Sequence, residues 1–304
     1  MESNLDNANE NAFFDLPEFR EAIAEFQAAA AKPYYDEAAD EADKTEYYQA
    51  IQPGDLNKQG FYDALSRLLG KTHTGKNSYK PAVHLYPWVD LHETGSQLRL
   101  KSIYSEKEFN PEDLIAEDFR IERQRARMRE ILTSEASFTA MNPERQLGLL
   151  EAAMPFNCEH VVPQSWFRKR EPMRGDLHHL FACEIPCNSM RGNFPFFDFP
   201  DFAEAIKQDC GKSQGNEFEP SGGKGAVARA TLYFLLRYPG EINRTSAEYT
   251  EAGIETLLKW HRGSKVSRYE KHRNAAIREK QGNRNPLIDF PDWADRIDFT
   301  KGLG

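Results

Sequence analysis

The chain has 304 residues, 39% of them hydrophobic, and a formal net charge of −9 at pH 7. That is enough apolar material for a substantial core in one large domain or two, and no run of 18 or more apolar residues marks a membrane span. The acidity argues against a polyanion-binding protein until it is placed: residues 1–60 hold 14 acids and 4 bases, a net of −10, while 256–284 hold 9 bases and 2 acids, a net of +7. Local positive charge, not the whole-chain balance, governs contact with nucleic acid.

In chain order, residues 1–12 are polar, Asn-rich and acidic, the composition of a disordered end. They show neither a basic n-region nor an apolar h-region, so the chain is read either as cytoplasmic or as one whose leader was removed. Phe19, Ile23 and Phe26 recur at helical spacing and predict a helix within 14–31. Residues 34–57 are acidic, with two Tyr-Tyr pairs and a break at Pro53-Gly54. Residues 1–57 therefore read as a solvated acidic extension, partly helical or disordered, ahead of a domain over 58–304. A sharper reading makes this segment a nucleic-acid mimic lying over a basic groove.

Phe61, Leu65, Leu68 and Leu69 predict a helix stopped at Gly70. The turn at 93–96 predicts a β-hairpin with strands over 83–91 and 98–103. Asn110 before Pro111 reads as a helix N-cap, and Arg123, Arg125 and Arg127 stud the helix that follows. The apolar run 225–238 predicts a buried helix ended by Pro239-Gly240, and 249–261 an amphipathic one. Ser267-Arg-Tyr-Glu270 is a capping box opening a basic helix that ends at Gly282. Lys271 and Arg273 on that helix are candidate phosphate contacts.

The residues with chemistry lie between 157 and 196. They read Asn157-Cys158-Glu159-His160-Val161-Val162-Pro163-Gln164-Ser165-Trp166-Phe167, then Gly175-Asp176-Leu177-His178-His179-Leu180-Phe181, then Asn188-Ser189-Met190-Arg191-Gly192-Asn193-Phe194-Pro195-Phe196. Phosphodiester hydrolysis needs a base for water, an offset for phosphate charge and a stabilised leaving oxygen. His160 suits the first, because its ordinary pKa is near neutral. Glu159 and Asn188 are hard oxygen ligands of the kind Mg²⁺ takes in small number. Arg191 can donate in-plane hydrogen bonds to a phosphate. Asp176 and His179 fit supporting roles around these groups, and Asn193 can orient Arg191 or meet substrate.

Adjacent strand residues point to opposite faces, so Glu159 and His160 serve one phosphate only where a strand ends or twists; Pro163 fits such an end. Residues 177–182 read as a second strand, and Pro186 opens a short helix carrying Asn188. Strand, long loop, strand, helix returns Asn188 to Glu159. The expected fold is α+β with a ββα-metal core, a small antiparallel sheet surrounded by helices.

Two other classes compete. A non-catalytic nucleic-acid-binding protein could use His179, Cys183, Cys187 and Cys158 as a structural zinc site. An inhibitor-type binding protein would use the acidic N-terminus alone. The four cysteines, Cys158, Cys183, Cys187 and Cys210, allow three disulfide pairings, and free buried thiols fit equally.

The three motifs in this order resemble the bacterial endonuclease I family of His-Me finger nucleases. Tyr104-Ser105, Lys224-Gly-Ala-Val-Ala-Arg-Ala and Gln281-Gly-Asn-Arg-Asn-Pro-Leu-Ile-Asp289 are similar to that family too, so the likeness runs from about 61 to 291. The resemblance implies a secreted or periplasmic, sequence-non-specific endonuclease of DNA, and in some members RNA. It implies dependence on Mg²⁺, with Mn²⁺ or Ca²⁺ as substitutes, and products with 5′-phosphate and 3′-hydroxyl ends. His160 would be general base and Glu159 and Asn188 metal ligands. Some members set a loop arginine on phosphate; the linker 168–174 is short here, and Arg168, Arg170 and Arg174 are the candidates. A monomer without membrane association is expected, and the acidic segment before Phe61 is not part of the shared pattern.

Overall fold

The computed structural model describes residues 12–52, 54, 56–135, 148–151, 153–203 and 209–304. The polar end at 1–11 and Pro53 of the expected break lie outside the described residues.

Helices α1 (Pro17–Ala29), α2 (Glu37–Tyr47), α3 (Lys58–Thr72) and the short α4 (Pro81–His84) come first. A small antiparallel sheet follows, β1 (His92–Thr94), β2 (Gln97–Lys101) and β3 (Glu108–Phe109), then α5 (Pro111–Glu135). Asn110 caps α5 as its sequence suggests, its Oδ1 accepting from Glu112 N at 3.0 Å. Next come β4 (Cys158–His160), β5 (Leu180–Ala182) and α6 (Ile185–Arg191), a ββα unit. The hairpin β6 (Gly211–Gln214) and β7 (Glu217–Pro220) leads into α7 (Lys224–Arg237), α8 (Glu251–Gly263), α9 (Arg268–Gln281) and α10 (Pro286–Asp289).

Helix α7 is the centre of packing, because its sequence is apolar almost all round. Val227, Ala228, Ala230, Leu232, Tyr233, Phe234, Leu235 and Leu236 are all buried. Tyr62 of α3 ties to it by donating to the Leu235 carbonyl at 2.6 Å. The Ser267–Glu270 capping box opens α9, and Gly282, at φ 90°, closes it. That left-handed conformation is one glycine tolerates and other residues resist. Among the described residues, no helix is long and apolar enough to cross a membrane.

Three expectations change. The strand over 83–91 is not formed: Pro81 starts a helical turn, and the chain reaches strand geometry only at His92. Leu85, Tyr86, Val89 and Leu91 are fully buried core residues held in turns, so apolar content alone did not distinguish them from a strand. The strand expected over 177–182 is shorter, since Leu177–His179 is a 3-10 turn capped by Asp176, which accepts from His178 N at 3.0 Å.

The acidic segment is docked rather than solvated. Phe19, Tyr34, Tyr47 and Tyr48 are buried. Arg284, 1% exposed, donates to Asp40 at 2.7 Å and Asp43 at 2.8 Å. Arg278 meets Asp43 at 3.3 Å, Lys280 meets Glu25 at 2.7 Å and Lys271 meets Glu37 at 3.4 Å. The basic helix α9 therefore finds its counter-charges within the chain.

Candidate active site

Strands β4 and β5 pair antiparallel, with Cys158 opposite Ala182, Glu159 opposite Phe181 and His160 opposite Leu180. The strand stops at His160, and both Glu159 and His160 line one cleft of about 320 Å³ together with Asn188 from α6. The cleft is also walled by Tyr79, Glu151, Gln164, Lys169, Arg174 and Asn193. Tyr79 gets there because Gly175 lets the 77–79 segment pass: a Cβ on Gly175 would lie 1.9 Å from the Asn77 carbonyl oxygen. Gly192, at φ 57°, turns the chain after α6 and leaves Asn193 at the rim.

His160 Nε2 lies 3.0 Å from the Arg174 carbonyl oxygen. A carbonyl only accepts, so in the neutral ring Nε2 carries the proton and Nδ1 keeps its lone pair. Burial, followed by the neighbouring His179, holds the imidazole pKa well below its ordinary value, against the bond to Arg174 that raises it. The ring is thus neutral at pH 7, with the Nδ1 lone pair unprotonated. Tyr79 flanks it at 4.5 Å between ring centroids.

Glu159 is 1% exposed. Its Oε1 accepts from the Tyr104 hydroxyl at 2.7 Å and sits 3.3 Å from Arg191 Nε. Burial pushes its carboxyl up to about 7, opposed by Arg191 and the Tyr104 hydrogen bond. Asn188 donates through Nδ2 to the Cys158 carbonyl at 2.9 Å, which commits the amide nitrogen and leaves Oδ1 as an acceptor. A carboxylate and an amide oxygen lining one cleft are donors that suit a hard divalent cation.

The other site candidates divide. Arg174 and Asn193 line the cleft; Arg168 and Arg170 do not. Arg168 is exposed elsewhere on the loop, and Arg170 pairs with Glu241 and donates to the Phe167 carbonyl at 3.1 Å. Arg191 is fully buried, donating to the carbonyls of Val161 at 2.7 Å and Gly192 at 3.0 Å. As placed, it acts on Glu159 and the backbone rather than on a phosphate. Arg273 is also no phosphate contact: it is 2% exposed, paired with buried Asp90 and bonded to the carbonyls of Leu177 and Leu180. Lys271 is half-buried and lies off the cleft, beside Glu37.

Asp176 is buried behind the cleft, accepting from Gln281 at 2.7 Å, Tyr233 at 2.8 Å and Tyr238 at 2.9 Å. His179 donates to the Met173 carbonyl at 2.6 Å, its ring 5.5 Å from that of His160. Reasoning from sequence missed Tyr79, Glu151, Gln164 and Lys169. Lys169 stands in the linker already singled out and Gln164 within the first motif; nothing in the sequence marks Tyr79 or Glu151.

Cys187 is disulfide-bonded to Cys210, whereas Cys158 and Cys183 are buried thiols. The zinc arrangement is therefore not formed, because Cys187 is consumed and His179 serves the backbone. Among the described residues, the cluster with metal-like spacing is Glu184 with Cys187 and Cys210, and its two sulfurs are bonded to each other.

The sequence model of the endonuclease I family matches residues 61–292. The chain is 38% identical over 157 residues to an extracellular ribonuclease of Bacillus amyloliquefaciens, covering 47% of this chain and 53% of that protein. It is 34% identical over 156 residues to an extracellular ribonuclease of Bacillus subtilis, covering 47% and 54%. It is 31% identical over 165 residues to an extracellular deoxyribonuclease of Aeromonas hydrophila, covering 46% and 67%. The chain thus spans about half the length of the first two relatives.

Proposed function

The chain belongs to the endonuclease I family, and on that premise we propose that it hydrolyses phosphodiester bonds of nucleic acid in the cleft around His160. The observation that carries this reading is the convergence of a neutral imidazole with a free Nδ1, a buried carboxylate and an amide oxygen on one cleft. His160 Nδ1 takes the proton of the attacking water. The Arg174 carbonyl fixes the tautomer and aims the ring. Glu159 and Asn188 would hold a divalent cation, Mg²⁺ with Mn²⁺ or Ca²⁺ as substitutes, which would offset phosphate charge and stabilise the departing oxygen. Arg191 and Tyr104 keep Glu159 available as a carboxylate despite its burial. Arg174, Lys169 and Asn193, which line the cleft, would meet phosphates along it.

Because the relatives include enzymes named for RNA and for DNA, both polymers are proposed substrates, cut without sequence preference to 5′-phosphate and 3′-hydroxyl ends. Secretion is proposed from the extracellular relatives and from the disulfide, which persists in oxidising compartments. The protein is proposed to act as a monomer.

The test is incubation of plasmid DNA and of RNA with Mg²⁺ or with EDTA, comparing wild type and His160→Ala. We expect cutting by wild type with Mg²⁺ only, and its loss in His160→Ala with nucleic-acid affinity nearly intact. Full cleavage by His160→Ala would refute the assignment.

A further inference from the structure

Three cations line the cleft among the described residues: Arg125, Lys169 and Arg174. Arg125 is 6% exposed, lies over the Phe156 ring at 4.1 Å and is spent on the carbonyls of Glu151 and Met154. The other two point at one carboxylate. Lys169 Nζ is 2.6 Å from Glu151 Oε2, and Arg174 Nη2 is 3.3 Å from Glu151 Oε1. Lys169 and its neighbour Arg168 adopt φ of 53° and 57°, a left-handed stretch costly for side-chain-bearing residues, and Lys169 N is held by the Gln164 carbonyl at 2.8 Å. Gln164 also accepts from Arg174 Nε at 3.1 Å, so one loop presents both cations to Glu151. Arg174 is the residue whose carbonyl aims His160.

A carboxylate with one oxygen on each of two cations occupies them as two non-bridging oxygens of a phosphate do. The contact is not sealed: the side chains of Glu151, Arg174 and Lys169 are 22%, 23% and 42% exposed. Such a solvent-reached pair exchanges readily for another anion.

Resting on the nuclease reading above, we propose that Glu151 is a built-in competitor for the phosphate subsite formed by Lys169 and Arg174, which substrate must displace and which returns to expel the product. Competition of this kind weakens a single phosphate more than a polymer, because the polymer keeps its hold elsewhere while one phosphate exchanges with Glu151. The subsite therefore favours long polyanions and releases short phosphate-ended products.

The test measures binding of a fluorescent 20-nucleotide duplex in Mg²⁺, in a His160→Ala background, with and without Glu151→Gln. Removing Glu151 leaves both cations for phosphate. Affinity should rise about tenfold, and the slope of log affinity against log salt should steepen by about one. A terminal 5′-phosphate trinucleotide should also become a stronger inhibitor of cutting by Glu151→Gln in the His160-intact chain. Unchanged or weaker affinity with an unmoved salt slope overturns the proposal, since a structural carboxylate would lower thermal stability without changing the number of phosphates engaged. Glu151→Ala is the second variant should the first fail to fold, and the same two readings decide it. Cutting by the His160-intact chain tests the nuclease reading, whereas the affinity comparison does not depend on cutting, so the two fail separately.

Discussion

Arg273→Ala separates the role that composition suggested for the basic helix from the role its geometry supports. Arg273 reaches from α9 to Asp90, which is fully buried and also accepts from Ala182 N at 2.7 Å and Tyr269 at 2.6 Å. Its second terminal nitrogen bonds the carbonyls of Leu177 and Leu180, and the guanidinium lies 3.9 Å over the Phe181 ring. These contacts brace the strand that pairs with Glu159 and His160. Truncation leaves a buried carboxylate without its cation, a change that costs about 3–5 kcal/mol. For a chain of 304 residues, with an unfolding entropy of about 2.1 cal/mol/K per residue, that lowers the melting temperature by roughly 5–8 °C, at about 1.6 °C per kcal/mol. Thermal and urea unfolding followed by tryptophan fluorescence measure it, and duplex affinity against salt, taken on folded material, should keep the wild-type slope. An unchanged melting temperature together with a slope shallower by about one would refute the reasoning and return Arg273 to the phosphate backbone.

Tyr104→Phe removes a donor from Glu159, whose carboxyl is already pushed up to about 7 by burial. The carboxyl should move further up, so more Mg²⁺ is needed for half-maximal plasmid nicking at pH 7; an unchanged Mg²⁺ titration contradicts the contact. Asp118 is pushed up to about 8, chiefly by burial, and so folds protonated. Its contribution falls as pH rises from about 4 to about 8, by about 1.4 kcal/mol per unit. Asp118→Asn should flatten that decline in urea midpoints and gain most at pH 8; a parallel decline in both proteins rejects it. Asp176, conversely, is held well below the ordinary carboxylate range: burial would raise it, but His73, His178, His179 and the Gln281 hydrogen bond lower it. Its stabilisation is present above about pH 4 and lost on further acidification, so Asp176→Asn should cost about 3 kcal/mol at pH 7 and little at pH 2, read from urea midpoints at both. A chain lacking residues 1–57 loses four buried aromatic side chains, about 8 kcal/mol at about 2 each, against a usual stability of about 5–15. It should be insoluble or melt near room temperature; a well-folded, hyperactive product at low salt would instead restore the mimic reading.

The helices were legible where the sequence states both a period and an end. The Ser267–Glu270 box and Gly282 delimit α9, and Asn110 with Pro111 starts α5, because caps are local chemistry that tertiary packing does not override. The run 83–91 was not legible. Its apolar residues are buried on all sides, and full burial removes the alternation that separates strand from turn. The strand after Asp176 was over-read for a related reason: His178 and His179 look apolar-compatible in sequence, yet each spends a ring nitrogen on a backbone carbonyl, Asn283 at 3.3 Å and Met173 at 2.6 Å.

Within the site, what could be read was what chemistry forces to be close in sequence. Glu159 and His160 are adjacent, and Asn188 returns on the helix after the partner strand, so strand–loop–strand–helix logic places all three on one cleft. Charge is different, because a cation's role depends on which anion reaches it first. The +7 balance of 256–284 suggested a phosphate track, but Asp40, Asp43, Glu37 and Glu25 from the acidic segment already engage that surface. Among the described residues, the cleft's cations are Arg125, spent on backbone carbonyls, and Lys169 and Arg174, both of which Glu151 engages. Two distant stretches of excess charge thus pair with each other inside the fold, apart from the cleft proposed as the active site. On the proposed reading, a site arranged this way would gain further positive charge from a divalent cation held by Glu159 and Asn188, which would tie substrate binding to the same two oxygens that the proposed chemistry uses.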